Sequence, residues 1–212
     1  MPEKEGPYHH GNLRRALLDA TLQLIDERGV EGLTLREVAR QAGVSAAAPY
    51  HHFADKAALV EALAVEGYEA LTAALHTAWA GDNDPAEGIA ALGVAYVCFA
   101  VEHPAIFRLM FRPELRGPTA HPRPRQGDTP LARAASASYG VLVAGITAAQ
   151  GVGAIAPIDP APLALTAWAT VHGLAVLLID GPENGMARSG DAVKQVAALV
   201  TRTLLHGILL HE

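Results

Sequence analysis

The stretch from Leu33 to Leu63, LTLREVARQAGVSAAAPYHHFADKAALVEAL, constrains this chain most. Thr34 stands three residues before Glu37, the spacing of a capping box at a helix start. Leu35, Val38 and Ala39 then recur at helical spacing and predict one buried face. Ala39 is small enough for a second helix to cross closely. Gly43 suits the left-handed residue that ends a helix and opens a tight turn. Val44 is placed to plug the corner. Ser45 is placed to cap a second helix running to Phe53. Pro49 falls in its first turn or just beyond, where at most about one helical hydrogen bond is lost. Asp55 is a third cap, for a long helix from Lys56 towards Trp79. Two short helices around a glycine turn, with a long helix behind, form the layout of a helix-turn-helix.

That layout carries a chemical expectation. The second helix of such a unit enters the major groove of DNA. Here it opens on Ala46, Ala47 and Ala48, none of which can hydrogen-bond a base through its side chain. Alanines can pack on thymine methyls or let the backbone approach closely. Base readout is therefore expected to rest on Ser45, Tyr50, His51 and Arg36. His52 and Phe53 are expected to pack the reader against the first helix.

The segment TLREVARQAGVS followed by PYHHFADKAALVEAL resembles the DNA-binding signature of the TetR family of bacterial transcriptional regulators. YHHGNLRRALLDATLQLIDERG is similar to that family's first helix. AWATVHGLAVLLIDG (167–181) and HPAIFRLMF (103–111) resemble the C-terminal domain of one subgroup, marked by its Trp-His-Gly segment. The resemblance implies that Thr34, Tyr50 and Lys56 touch DNA phosphates. It also implies that many relatives carry arginine where this chain has His51. Histidine titrates near neutrality, so DNA affinity is expected to rise as pH falls from about 7.5 to 6.

Composition pulls the other way. The net charge is −6, whereas a basic excess is the usual footprint of nucleic-acid binding. Residues 1–60 hold seven basic and eight acidic residues. A local positive face from Arg14, Arg15, Arg36, Arg40, Lys56 and the helix N-termini is the expected compensation, with weak non-specific affinity. Cys98 is the only cysteine, which excludes an intrachain disulfide and reads as a buried small hydrophobe. No zinc-type Cys/His spacing occurs, so neither metal nor cofactor is expected. The first thirty residues are charged and amphipathic, unlike a signal peptide, and the apolar run 162–179 is short for a membrane span. A cytoplasmic protein without a membrane partner is expected.

Half of the residues are hydrophobic, and helical periods run throughout without an alternating strand. The predicted fold is all-α. A helix-turn-helix domain over residues 1–54 precedes a helical ligand-binding and dimerisation domain over residues 55–212. Residues 1–8 read as a mobile arm, residues 11–28 as the first helix, and GDNDP (81–85) as a break. Further helices are expected from Pro85 to about His103, from Pro104 to Phe111 and over 131–150, 162–179 and 191–210. Residues 112–130 read as an exposed loop rich in Pro, Arg and Gly.

The resemblance implies a small-molecule cavity between 86 and 178. Candidates for its lining are Tyr96, Phe99, Phe107, Met110, Phe111, Tyr139, Trp168 and His172. Trp168 and His172 lie four apart, on one helix face. Val193, Val196, Ala197, Val200, Leu204 and Ile208 trace an apolar stripe on the last helix. By resemblance this helix pairs with the one before it across a two-fold axis, and a two-fold dimer reads a palindrome. The reading that results is a repressor released by a small apolar or amphipathic effector. Three rivals stand beside it. One is control by a protein partner, and another is a DNA-binding architectural protein without a ligand. The third is a small helical enzyme built on His51, His52 and Asp55, although adjacent histidines on a helix diverge by about 100° and make poor joint ligands.

Overall fold

The computed structural model describes residues 10–80, 84–112, 129–182, 185 and 189–208. The expected arm at 1–8 lies outside them. So do most of the loop at 112–130 and parts of the loops at 81–85 and 180–190. Among the described residues there are eight α-helices and no strand. They are α1 (His10–Arg28), α2 (Leu35–Gln41), α3 (Lys56–Ala80), α4 (Pro85–Glu102), α5 (Pro104–Met110), α6 (Pro130–Gly151), α7 (Pro160–Asp180) and α8 (Gly190–Ile208).

Local chemistry sets the boundaries. Thr34 and Glu37 form the reciprocal capping box that opens α2. Gly43 takes the left-handed conformation, φ +70°, at the turn that follows. Asp55 Oδ1 accepts from Ala58 N at 2.8 Å in front of α3. Asp84 caps α4, with Pro85 at the first helical position, where its missing N–H costs nothing. Asp159 and Pro160 repeat that device on α7, so this helix begins two residues before the expected position.

The expected second helix of the reader, Ser45 to Phe53, does not form as an α-helix. The chain makes turns and then a single 3-10 turn, Ala48–His51, closed by Tyr50 N to Ala47 O at 3.2 Å and His52 N to Pro49 O at 3.0 Å. Pro49 is the cause. An α-helix started at Ser45 would need an N–H at position 49 bonded to the Ser45 carbonyl, and proline has none. Proline also disfavours the helical region for Ala48 before it. The cap position falls on Ala47, which makes no side-chain cap bond, and not on Ser45.

Three apolar cores hold the molecule. The first joins Leu17, Leu18 and Leu24 of α1 to Val38, Phe53, Leu59 and Leu63, and it takes in Ala105 and Leu109 from α5. The second is shared by α3 to α8 and includes Leu71, Tyr96, Phe107, Met110, Val171 and Ala197. The third, built on Ile89, Ile146, Ile155 and Leu163, closes the far end. Helix α5 thus contributes alternate residues to two cores.

The apolar stripe on α8 is spent partly inside the chain. Val193 and Ala197 are fully covered in the second core, and Val196, Val200 and Leu204 are half-buried. Helix α4 approaches α8 through Gly93, where a Cβ would collide with Thr201. The stripe is therefore spent in part within the chain, and the sides of Val196, Val200 and Leu204 remain partly accessible; Ile208 lies in the last described turn.

Candidate functional site

The reader face is mounted on the first core. Leu35, Val38 and Ala39 are buried, so α2 turns Arg36 and Arg40 outward on the opposite side. Ser45, Ala46, Ala47 and His51 are exposed, Ala48 is half-buried, and Tyr50 is 56% exposed. Phe53 is buried, and the Arg14 guanidinium lies 5.8 Å from its ring centroid, which fastens the turn to α1. His52 packs beside Phe53 at 6.3 Å.

The site groups are not equally available. The Thr34 hydroxyl donates to Glu37 Oε2 at 2.8 Å and accepts from Glu37 N at 3.3 Å. The Thr34 bond and then the nearby Arg28 guanidinium hold the Glu37 carboxyl below its ordinary range. Lys56 Nζ donates to the Glu31 carbonyl at 3.0 Å. Arg112, just past α5, pairs with the Glu31 carboxylate at 2.5 Å and holds its pKa down. Arg14 and Arg15 both reach Glu66 of α3, at 3.0 and 2.8 Å, and Arg15 also pairs with Asp19. The expected positive face thus loses Arg14 and Arg15 to ion pairs within the chain.

The second group of candidates gathers around α5. Trp168 and His172 stack at 5.1 Å with their planes 24° apart. Phe111 lies 4.5 Å from the His172 ring and 6.2 Å from that of Trp168. Phe107 meets Phe111 at 4.9 Å and Tyr96 edge-on at 5.7 Å. The Tyr96 hydroxyl and His172 Nδ1 are hydrogen-bonded at 2.9 Å. Tyr96, Phe107 and Met110 are buried, while Phe111, Trp168 and His172 are half-buried, so the cluster has a floor and an accessible side. Edge-on and offset ring pairs are worth about 0.5–1.5 kcal/mol beyond their buried area.

Two candidates stand apart. Phe99 packs on His103 at 5.0 Å, and Tyr139 packs against the third core. One member escaped the sequence reading. Tyr68 of α3 meets Phe111 edge-on at 5.9 Å and donates its hydroxyl to the Met110 carbonyl at 3.0 Å. Its position in a plain amphipathic helix gave no signal. Cys98 is half-buried, and burial, then Glu102, push its thiol pKa up, against the low value a redox thiol needs. The described residues contain no group of three or more His, Cys, Asp or Glu able to hold a metal ion.

Comparison with known proteins decides the family. Residues 17–63 match the model described as "Bacterial regulatory proteins, tetR family", and residues 89–204, more than half of the chain, match "Tetracyclin repressor-like, C-terminal domain". The chain belongs to the TetR family. Curated relatives of this TetR-family protein include the tetracycline repressor protein class D of Escherichia coli, 43% identical over 53 residues (25% of this chain, 24% of that protein). The HTH-type transcriptional regulator BetI of Cronobacter sakazakii is 49% identical over 49 residues (23% of this chain, 24% of that protein). The chain thus matches about a quarter of the length of these relatives. A solved structure of a protein with unknown function from Rhodococcus sp. RHA1 is 38% identical, with a TM-score of 0.78, covering 97% of this chain and all of that one. A tetR-family bacterial regulatory protein from Rhodococcus RHA1, 21% identical with a TM-score of 0.69 over 94% of this chain and 98% of that one, shares the fold.

Proposed function

We propose that this chain is a ligand-responsive transcriptional repressor. It binds a palindromic DNA operator as a homodimer and is released by a small apolar or amphipathic effector. The observation that carries the reading is the double role of α5. Ala105 and Leu109 sit in the core that mounts the reader, while Phe107 and Met110 form the floor of the aromatic cluster. A ligand that displaces the cluster must move α5, and α5 cannot move without disturbing both cores.

On this reading Tyr50, His51, Ser45 and Arg36 meet base edges or phosphates in the major groove. Ala46, Ala47 and Ala48 offer methyl groups and a close backbone. Thr34 and Lys56 steady the backbone contact. The effector lies against Phe111, Trp168 and His172, over Tyr96, Phe107 and Met110. Phe99 and Tyr139 would then respond only through packing. Motion passes to the reader through α5 and through α3, whose Tyr68 hydroxyl holds the end of α5. A coupling of ~1–3 kcal/mol would weaken operator binding roughly 5–150-fold. The reaction is binding alone, with no catalytic step, and it belongs in the cytoplasm, where the operator is.

The dimer surface is better sought on α7 than on the stripe of α8. Helices α4, α6 and α7 are long and apolar enough, by length and composition, to cross a membrane, and of their 18-residue apolar windows 50%, 22% and 33% are buried within the chain; of the three, the helix whose described residues expose large hydrophobic side chains is α7. Its outer side shows Leu165, Val176 and Leu177 at 40%, 40% and 48% exposure, and α8 adds Leu199 at 66%. A second copy of this chain would cover such a face. Sedimentation of Leu177→Arg tests this: the reading expects a shift from dimer to monomer and loss of operator binding. A variant that stays dimeric and bound would refute the placement. The effector site is tested by screening small aromatic and amphipathic compounds for operator release. Trp168→Ala should keep operator affinity and lose the response.

A further inference from the structure

The charge balance of the reader changes once its ion pairs are taken into account. Arg28 pairs with Glu37 at 2.9 Å, and Arg14 and Arg15 with Glu66. Lys56 is turned onto the Glu31 carbonyl. Three cations that look available in the sequence, Arg14, Arg15 and Arg28, are therefore engaged together with the acids that cancel them, while Lys56 is held in place but keeps its charge. Arg36 and Arg40 differ: both are exposed, and neither makes an ion pair or side-chain hydrogen bond among the described residues. They lie four apart, on the side of α2 opposite Leu35, Val38 and Ala39, so their side chains stand one above the other. The short turn carrying Tyr50 and His51 follows the C-terminal end of the same helix.

We infer that Arg40, together with Arg36, anchors the phosphate backbone of duplex DNA, and that the internally paired cations contribute little to that attraction. The inference rests on the proposed DNA-binding function and adds Arg40 to its contacts. A guanidinium without an internal carboxylate can meet a phosphate without first breaking a bond, and its planar fork favours bidentate contact. Each phosphate neutralised releases condensed counterions, so log K falls with log salt by about 0.9 per contact. Few free cations imply a shallow salt dependence, which fits a chain of net charge −6.

The test is fluorescence anisotropy of the full chain on a mixed-sequence duplex of fixed length across a salt series. Arg40→Gln should flatten the slope by about 1 per bound protomer, so that between about 50 and 200 mM salt it loses roughly 3–4-fold less affinity per protomer than wild type. Arg40→Lys keeps the charge and should keep the slope. Arg15→Gln, in the paired class, should leave the slope unchanged, with helix content confirming that all variants are folded. An Arg40→Gln slope equal to wild type, or equal flattening by Arg15→Gln, would overturn the inference while leaving DNA binding in place. If wild type binds no duplex at any salt, the proposed function fails and the inference goes with it.

Discussion

The reader and the helical bundle use the same helix-forming residues but are held in different ways. In the reader each boundary is fixed by a neighbour: Glu37 caps back to Thr34, Asp55 reaches Ala58, and Gly43 turns the chain between them. In the bundle the caps are equally local, but the packing is not. Arg202 of α8 reaches Glu87 of α4 across 115 positions, and Tyr96 reaches His172 across 76. A short sequence window can thus place the reader's helix boundaries, although its core still draws Ala105 and Leu109 from α5, whereas the bundle depends throughout on which helices meet.

The comparison breaks first at Tyr50. A local unit with an exposed contact residue should lose function there without losing its fold. Tyr50→Ala is expected to weaken binding to a selected operator by tenfold or more, about 1.4 kcal/mol, with melting temperature and sedimentation unchanged. A parallel loss of stability would mean that Tyr50 belongs to the core.

The bundle should behave in the opposite way. Gly93→Ala pushes a methyl into Thr201 where α4 crosses α8, and overpacking of this kind costs about 1–3 kcal/mol. Denaturant titration should show that loss, while the folded fraction still binds DNA. Full stability would mean that the two helices separate easily and that this contact does not hold the bundle.

Thr34→Ala sharpens the local half. Removing the capping hydroxyl should cost about 1 kcal/mol of stability. Its effect on operator affinity should be small, because the hydroxyl is already committed to Glu37. A large affinity loss with little change in stability would assign Thr34 to the DNA contact instead.

The smallest effect concerns pH. The folded state holds the Glu37 carboxyl below its ordinary range, mainly through the Thr34 bond. The unfolded chain therefore takes up that proton first as pH falls. The stability contributed is complete above the ordinary carboxylate range and is lost as pH drops through the folded value. Stability curves of wild type and Glu37→Gln should converge in acid and separate slightly above it. Curves that stay parallel would remove the capping carboxylate from the account.

The difference between the regions also explains what the sequence could reveal. The caps at Thr34, Asp55 and Asp84 and the turn at Gly43 were legible because each acts within four residues. The missing α-helix at 45–53 was legible in principle, because Pro49 stands four residues after the Ser45 carbonyl it would have to bond. The loss of about one hydrogen bond at Pro49 is enough to leave only a 3-10 turn where the spacing predicts a helix. The fate of the α8 stripe was hidden, because whether Val193 and Ala197 meet another copy or α4 depends on the close approach at Gly93. Aromatic spacing suggested the cluster around His172, but it could not separate Tyr139, which packs at the far end, or add Tyr68. The availability of each cation was hidden as well, since Arg14 and Arg15 meet Glu66 only after α3 folds back along α1.

The most direct test of the central claim is selection of the purified chain against random duplex DNA at moderate salt, followed by sequencing. The account predicts enrichment of a palindrome whose half-sites lie about one helical turn or a multiple apart, and loss of that enrichment with Tyr50→Ala. A folded, dimeric protein that enriches no sequence would contradict it.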